Sequence, residues 1–304
     1  MKDQASKIKH SKFSPSGVIG KLFQRIIVAN KKYGAEYWIM IVGIVIILFI
    51  VYLALFPETL APYDPLDQDA GPQLSPPSAA HPFGTDILSR DVLSRTIHGS
   101  RTILGIAFAA AVFASSVGIT LGLLSGFVGG ILDRILSLIM DSIYSFPGLI
   151  LAIAFAAMLG PGVINITLAV SVVYIPTYFR LVRGQTLSIK EEVYIEAARA
   201  IGTNRLVILA KYIFPNVIAT VVVLFSINIA DAIITEAGLS FLGLGLPAGI
   251  PDWGMDINQG RPFLPSGAWW VITYPGLMVV ILAFGFTMLG EGLAEILNPR
   301  LLEK

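Results

Sequence analysis

The sequence contains no cysteine, few histidines and few charged residues. The missing cysteine excludes disulfides, thiolate nucleophiles and Cys-based metal sites. The three histidines, His10, His81 and His98, all lie outside the long apolar runs, which argues against a Ser-His or His-based metal centre inside a membrane. Only 13% of the 304 residues are charged while 55% are hydrophobic, and a water-soluble fold of this length could not bury that proportion. The chain is therefore predicted to be an integral membrane protein.

The sequence also lacks the Gly-x-x-x-x-Gly-Lys-Ser/Thr pattern that cradles nucleotide phosphates. Any ATP hydrolysis coupled to this chain is therefore expected on another chain, and neither catalysis nor a bound metal is predicted here. Basic residues are concentrated before the first apolar run, which indicates orientation in a membrane and not nucleic-acid binding. No cleavage pattern of small residues follows this run, so it is interpreted as a retained helix.

Six apolar runs are long enough to cross a bilayer as helices. The first, at 38–56, is uncharged and rises about 28 Å as a helix, which matches a hydrocarbon core of roughly 30 Å. The others lie at 102–128, 135–159, 163–179, 216–234 and 268–289. The predicted fold class is therefore an all-α integral membrane protein with six transmembrane helices.

Six crossings place both termini on one side, and the basic residues indicate that this side is the cytoplasm. With the loop at 180–215 also inside, only Arg90, Arg95, Arg101 and Arg261 of the 21 lysines and arginines fall outside. The predicted organisation is a basic cytoplasmic segment at 1–37, a first helix at 38–56 and an extracytoplasmic loop at 57–101. A core domain at 102–292, with a cytoplasmic loop at 188–215, and a cytoplasmic tail at 293–304 complete it.

Glycines and prolines mark several of the predicted spans. Glycines at spacing four share one face of the second span, where a neighbouring backbone can approach closely: Gly118, Gly122, Gly126 and Gly130. The alternative is a Gly-rich membrane helix with no particular partner. Three other spans are interrupted by proline, at Pro147, Pro176 and Pro275. Kinked spans fit a transport path, but they also occur in membrane proteins that have none.

The stretch at 238–267 is apolar in its first part but too short to span. It is expected to form a short helix in the outer leaflet, with nearby aromatic side chains in the membrane interface: Trp253, Trp269, Trp270 and Tyr274. The histidines His81 and His98 are expected in a structured outer loop.

The loop at 188–215 has the local chemistry of two short helices joined by a turn. Ser188 and Glu191 have the spacing of a capping box that would start the first helix, and Gly202 can end it in a left-handed conformation. Two candidate caps for the second helix and a proline that redirects the chain into the membrane follow, at Thr203, Asn204 and Pro215. Periodicity alone leaves open whether the first helix docks on another protein or lies on the membrane surface.

Within this loop, Glu196-Ala197-Ala198, Gly202 and Ile213-Phe214-Pro215 resemble the EAA loop of ABC importer permeases. Further stretches are similar to the C-type subunit of the dipeptide, oligopeptide and nickel branch: His81-Pro-Phe-Gly-Thr-Asp86, Arg90-Asp-Val-Leu-Ser-Arg95, Ser145-Phe-Pro147, Arg180-Leu-Val-Arg-Gly184, Glu236-Ala-Gly-Leu-Ser-Phe-Leu-Gly-Leu-Gly245 and Asn298-Pro-Arg-Leu301. The resemblance covers roughly residues 35 to 302. Phe214 departs from the leucine that the family usually has at this position.

The resemblance implies the type I ABC importer permease fold in a cell membrane. It also implies that Glu196 orients a coupling helix through charge contacts, that Ala197 and Ala198 form its close-packed face, and that Gly202 sets the angle to the next helix, with Pro215 completing the loop. This helix would sit in a cleft of a cytoplasmic ATPase, and the complex would contain two such ATPase subunits, which bind the ATP and Mg.

A second related permease would complete the translocation path, and an extracytoplasmic binding protein would deliver the cargo. The resemblance implies a dipeptide, an oligopeptide or a related solute such as nickel, glutathione or a sugar. No residue selects among these cargoes or distinguishes a heterodimer from a homodimer.

Carboxylates inside membrane spans are costly and are therefore candidates for function. Asp141 in the third span, and Asp231 and Glu236 near the outer end of the fifth, are candidate groups of a translocation path. For Asp231 and Glu236 a hydrogen-bonded interfacial group is an equal alternative. Asp141 is the better candidate for a buried role, although pairing with Arg134 would make it structural.

The strongest alternative function is an ion-coupled secondary transporter that works alone. In such proteins broken helices and membrane carboxylates bind protons or sodium. This alternative leaves the EAA-like loop unexplained, and transport by the isolated protein under an ion gradient would distinguish it.

Overall fold

The computed structural model describes residues 35–247 and 249–297, and the predicted basic segment and tail lie largely outside this part. The described residues form helices and loops with no β-strand. In chain order the helices are α1 (Ala35–Leu55), α2 (Pro57–Leu60), α3 (Val92–Val128), α4 (Gly130–Tyr144), α5 (Gly148–Leu159), α6 (Val163–Lys190), α7 (Val193–Ala200), α8 (Arg205–Val207), α9 (Phe214–Phe241), α10 (Trp253–Gly260) and α11 (Trp270–Ile296). A π-helical turn (Ile208–Ile213) joins α8 to α9, and a 3-10 helix (Arg261–Ser266) follows α10.

Five helical stretches are each long and apolar enough to cross a bilayer. They are α1, α3, α6, α11 and the stretch Arg205–Phe241 that contains α8 and α9. Several extend beyond the predicted apolar runs, because capping groups and not the hydrocarbon thickness decide where a helix ends. The α3 helix, for example, begins at Val92, where the Asp91 carboxylate accepts a 2.8 Å hydrogen bond from the Ser94 amide.

The α3 and α6 helices pack along their length through the predicted glycine face. Contacts that a Cβ atom on each glycine would make show the register: Gly118 lies against Ile175 and Tyr178, Gly122 against Phe179 and Val182, and Gly126 against Arg183 and Thr186. Residue numbers rise together on both helices, so the two helices are parallel. Gly130 does not belong to this face, because it follows the end of α3, with a φ of 66° and open space around it.

The parallel packing decides how the chain crosses between these two helices. The start of α6 lies at the level of residue 104 of α3, roughly, so the chain must travel back from the end of α3 by about 36 Å at 1.5 Å per residue. Only α4 and α5 lie between them, and together they are long and apolar enough to cross a bilayer, although a 91° bend separates the two helices. The pair is therefore a broken sixth crossing, and both ends of the described chain lie on the same side.

The bend between α4 and α5 follows from Pro147. This residue has no amide hydrogen to donate and holds an extended ψ of 126° as the cap of α5, so the ladder of α4 cannot continue through it. Pro176 and Pro275, by contrast, lie inside the uninterrupted helices α6 and α11.

The segments that the sequence predicts to lie outside the membrane, around residues 57–101 and 242–270, fold together into a compact region, called the outer region here. The indole of Trp253 donates a 2.8 Å hydrogen bond to the carbonyl of Thr96 and packs against Gly99, and the indole of Trp270 donates to the carbonyl of Thr85 at 3.0 Å. Trp253 and Trp270 are thus buried in protein and do not form an interfacial belt, which corrects the prediction. The short helix also lies later than predicted, at α10, since residues 238–241 are the end of α9.

Both histidines lie in or beside this region, but only His81 lies in the loop as predicted, because His98 belongs to α3. His81 is buried, stacks on Tyr63 and contacts Asp91, with 2.9 Å between its Nδ1 and the Asp91 Oδ1 atom. His98 lies on α3, where its Nδ1 is 2.9 Å from the carbonyl of Ser94.

Candidate functional site: a coupling loop and a membrane cavity

The coupling loop (residues 188–215) begins differently from the prediction. The α6 helix continues out of its apolar part to Lys190, and α7 starts only at Val193, with Glu192 as its cap. Ser188 therefore lies inside α6, where its hydroxyl donates to the Gly184 carbonyl at 3.3 Å, and the predicted capping box with Glu191 does not form. The sequence pattern is present, but α6 continues through Ser188, so the backbone groups there are already hydrogen-bonded within that helix.

The end of α7 has the geometry that Gly202 predicts. Gly202 adopts a φ of 81°, its amide donates to the Arg199 carbonyl, and the Thr203 amide reaches back to the Ala198 carbonyl, both at 3.0 Å. This pair of bonds is a Schellman motif, for which glycine is favoured because it has no Cβ to clash. Of the two candidate caps, Asn204 caps α8 by accepting a 2.8 Å hydrogen bond from the Leu206 amide.

The α7 helix has one face against its own chain and one face free. Ile195 and Ala198 are buried and pack in a cluster with Ile208 and Ile213 of the π-helical turn. The opposite face carries Glu196 and Ala197, both exposed. Exposed apolar side chains extend this surface at the start of α7 and beyond its end: Val193 is 78% exposed, Ile201 83% and Leu206 73%. The two alanines predicted to share the close-packed docking face are therefore divided between the two faces.

Pro215 lies at the start of α9, and the chain is not redirected there. The stretch Arg205–Phe241 behaves as one span, and the π-helical turn immediately precedes the proline. Because Pro215 has no amide hydrogen, an α-helical bond to Lys211 is impossible, and the wider π turn accommodates this loss without a break. The coupling loop is thus continuous with α6 at one end and with α9 at the other.

Two ion pairs join α4 to α6. Asp141 is exposed, so its predicted buried role is wrong. It pairs with Arg180, not with Arg134, at 2.8 Å from Nη2 to Oδ1, and the Arg180 guanidinium lies 3.9 Å from the centre of the Tyr144 ring. Asp133 accepts two hydrogen bonds from Arg183, from Nε at 2.6 Å and from Nη2 at 2.8 Å.

Asp133 was missed by sequence reasoning because it lies two residues before the predicted span at 135–159. The available signal was the pair of arginines at 180 and 183, just after one predicted span, and the aspartates at 133 and 141, around the start of the preceding span. Two arginines and two carboxylates on spans adjacent in sequence are natural partners, because an unpaired charge near lipid is costly.

A cavity of about 450 Å³ lies between the bent α4–α5 pair, α6 and α9. Asp231 is on its wall, together with polar groups of Thr177 and Asn228 and the aromatic rings of Tyr144 and Tyr174. The Tyr174 hydroxyl is tied to Thr235 at 2.8 Å. Since α9 continues to Phe241, Asp231 lies about 15 Å before its end at 1.5 Å per residue, deeper than predicted.

Glu236 lies apart from this cavity and is fully buried. One oxygen accepts a 3.2 Å hydrogen bond from the Ser240 hydroxyl, and the carboxyl group also interacts with the buried Asp252. This arrangement favours a structural role for Glu236, and the three predicted carboxylates therefore occupy three separate environments.

The outer compact region contains a second set of buried charges. Arg95 donates to Asp256 at 2.5 Å from Nη2 and 2.9 Å from Nε, and Arg90 pairs with Asp86 at 2.6 Å and with Gln259 at 2.8 Å. Burial raises the pKa of Asp256, and the Arg95 guanidinium opposes that rise. These pairs fasten the start of α3 to α10. Within the described residues, no group of three or more His, Asp or Glu side chains is arranged to hold a metal ion.

Comparison with known proteins identifies the family of this chain. Residues 118–303 match the family described as binding-protein-dependent transport system inner membrane component. The chain belongs to this family. This permease is 37% identical to the dipeptide transport system permease protein DppC of Alkalihalophilus pseudofirmus, over 86% of each chain.

Two further relatives bear similar names. The permease is 39% identical to the glutathione transport system permease protein GsiD of Pectobacterium atrosepticum, over 84% of this chain and 85% of that one. It is 38% identical to the probable D,D-dipeptide transport system permease protein DdpC of Escherichia coli, over 84% and 86%. The predicted membership in the C-type permeases of ABC importers is confirmed, as is the all-α membrane fold. The permease is thus a multi-pass inner-membrane component of an importer.

Proposed function

We propose that this permease forms half of the path by which a peptide enters the cell, driven by separate ATPase subunits. The relatives named for dipeptides and glutathione support a peptide as the cargo over nickel or a sugar. The remaining parts would be two cytoplasmic ATPase subunits that bind ATP and Mg, a second related permease in a heterodimer, and an extracytoplasmic binding protein. This chain itself would catalyse nothing.

The observation that carries the proposal is the free face of the coupling loop. Ile201 and Leu206 are large apolar residues exposed by 83% and 73%, beside the exposed Glu196. An apolar patch rimmed by charges is typical of a protein interface, and burying it would stabilise a complex by roughly 25 cal/mol per Å². A partner that binds this patch would contact α7, which packs against the rest of the permease through Ile195 and Ala198.

The same loop supplies a route from the docked partner to the cavity. The α7 helix is anchored through Ile195 and Ala198 to the π-helical turn, which leads directly into α9, and its other end follows α6. Both α6 and α9 line the cavity, through Thr177 and Asp231. In the proposed mechanism, closure of the ATPase pair displaces α7 as a unit, and the displacement moves two walls of the cavity.

The proposed orientation places the coupling loop and both termini in the cytoplasm. Four basic residues lie on the loop itself, at Lys190, Arg199, Arg205 and Lys211, and basic residues accumulate on the cytoplasmic side of membrane proteins. The crossing pattern puts the two ends of the described chain on one side. An ion-coupled transporter working alone is disfavoured, because the family consists of components of binding-protein-dependent systems.

Reconstitution of the full complex in nanodiscs tests the coupling role. We expect Glu196→Lys and Gly202→Pro to abolish the ATPase activity stimulated by loaded binding protein. The first substitution reverses a charge on the free face, and the second is incompatible with a φ of 81° because proline requires about −65°. The matched control is Glu291→Lys, a charge reversal on the exposed surface of α11 outside the loop, which should retain stimulation.

Stimulated activity at the wild-type level in both loop variants would remove the coupling role. Uptake by the permease alone under a proton or sodium gradient would instead favour the secondary transporter.

A further inference from the structure

Within the part of the chain that the structure describes, Asp231 is the one acidic side chain that lines the membrane cavity. Among the described residues, neither a hydrogen bond nor an ion pair reaches its carboxylate, although its side chain is exposed to the cavity. The nearby Asn228, one helical turn earlier on the same wall, is 3% exposed and its amide nitrogen donates to no described atom. The cavity therefore contains polar groups that the fold does not use.

The charges closest to this cavity are otherwise neutralised. Arg180, which lies over the cavity residue Tyr144, is held by Asp141, and Arg183 is held by Asp133. The remaining ionisable groups on the wall are the phenols of Tyr144 and Tyr174. The net charge that the cavity presents is therefore that of the Asp231 carboxylate.

An unpaired carboxylate at this depth selects for a cation, because an opposite charge is attracted most strongly where water is partly excluded. The surroundings fit an organic cation better than a metal ion, since aromatic rings, a hydroxyl group and one carboxylate do not supply the six oxygens of a Mg²⁺ or Ca²⁺ site. Aromatic faces attract ammonium groups in addition. At about 450 Å³ the cavity is within the range of small-ligand sites.

We propose that Asp231 binds the protonated amino terminus of the peptide as it passes through this cavity. This inference rests on the proposed function, since a peptide cargo supplies the ammonium group. The site would be transient: the carboxylate lowers the barrier for a charged end to enter the membrane, and the absence of further ionic contacts lets that end leave again.

The test measures peptide uptake by the full complex in proteoliposomes at saturating binding protein. Asp231→Asn keeps the shape and removes the charge, and we expect uptake to fall about tenfold, as for the loss of one well-placed ionic contact. Asp231→Glu keeps the charge and should stay within about twofold of wild type. ATPase stimulation by loaded binding protein should persist in both variants. Ser226→Ala is the matched control on α9, because its hydroxyl bonds only to the Val222 carbonyl of its own helix.

A pH series identifies the group that Asp231 contacts. Peptide amino termini lose their proton near pH 8, whereas phenols ionise about two units higher. The ratio of wild-type to Asp231→Asn uptake should therefore fall towards one between pH 7 and pH 9, and the ratio cancels pH effects on the other subunits.

Equal uptake by wild type and Asp231→Asn, a Glu variant as slow as the Asn variant, or a ratio that does not change with pH would each overturn the inference. The last result would indicate that Asp231 pairs with a basic residue of the second permease instead. Absence of ATP-dependent peptide uptake by the wild-type complex would contradict the proposed function itself, and this outcome is distinct from the others.

Discussion

Single residues with buried charges hold the outer region of this permease together. Arg95 and Asp256 lie 161 positions apart in the chain, and both are almost completely buried. A buried ion pair adds little over a well-packed apolar pair, but removing one partner leaves the other charged and unsolvated. The pair therefore makes α10 dependent on the start of α3.

Arg95→Leu should destabilise the permease by about 3–5 kcal/mol at neutral pH, because Asp256 would then be a buried carboxylate without its counter-charge. Burial already raises the pKa of Asp256, and losing Arg95 would raise it further. A carboxyl group whose folded pKa is raised lowers stability as pH rises from its unfolded to its folded pKa. The damage should therefore shrink as the pH is lowered through that range and Asp256 takes up a proton.

Unfolding in mixed micelles, measured at several pH values, checks this expectation. Arg261→Leu is the control, because Arg261 is exposed and its guanidinium carbon lies 5.7 Å from the Phe241 ring centre. Its loss should cost within about 1 kcal/mol. A pH-independent loss in Arg95→Leu would show that packing, not the carboxylate, accounts for the change.

Among the helical elements, the pair α3 and α6 depends most clearly on small residues. A Cβ atom on Gly122 would lie 2.8 Å from the Phe179 carbonyl oxygen and 2.9 Å from the Val182 Cβ atom. Such distances leave no room for any side chain, so the two backbones can approach closely only with glycine on this face. The position of α6, which lines the cavity, is set by this contact.

Gly122→Leu should destabilise the helix pair by about 1–3 kcal/mol, since the larger side chain forces the backbones apart. The matched control is Gly105→Leu on the same helix, where a Cβ atom would meet no atom within 4 Å. The free energy of unfolding of both variants in mixed micelles gives the comparison. Equal values for the two would mean that the glycine face does not set the helix spacing.

For the whole molecule, the decisive feature is that the bent pair counts as a crossing. A re-entrant loop would return the chain to the membrane face where α3 ends. Because α3 and α6 run parallel and in register, α6 must instead begin near the opposite face. The crossing number therefore follows from tertiary packing and not from hydropathy alone.

Single-cysteine variants test both the crossing and the orientation, and the natural sequence contributes no background because it has no cysteine. Ile131→Cys, an exposed position at the start of α4, and Ile201→Cys, on the coupling loop, should be labelled only from the cytoplasmic side. Pro161→Cys, in the turn between α5 and α6, should be labelled only from outside by a membrane-impermeant maleimide. Labelling of Ile131→Cys and Pro161→Cys from the same side would contradict the broken crossing, and labelling of Ile201→Cys from outside intact cells would reverse the orientation.

Much of this architecture could be predicted from local patterns. Apolar runs located the spans because burial of some twenty apolar residues in lipid is a large and local effect. Gly202 predicted the end of α7, and three of the four glycines of the second span predicted its packing face, since both depend on the missing Cβ. The Ser188–Glu191 capping box was wrong because a local signal says nothing of a helix that arrives from upstream.

The candidate site was less accessible to such patterns. Asp141, Asp231 and Glu236 looked alike in the sequence, yet one is paired with Arg180, one faces a cavity unpaired and one is buried beside Asp252. Their partners lie on other helices, and no spacing rule connects residues that are distant along the chain.

The sequence by itself determined that this permease resides in a membrane and how many apolar segments it has, because both follow from transfer of local groups between water and lipid. Only the tertiary structure decided that the α4–α5 pair crosses despite its 91° bend, which face of α7 is buried and that Asp231 faces a cavity unpaired. These depend on which helices meet, and in a membrane that choice is made by close packing and charge pairing between distant residues.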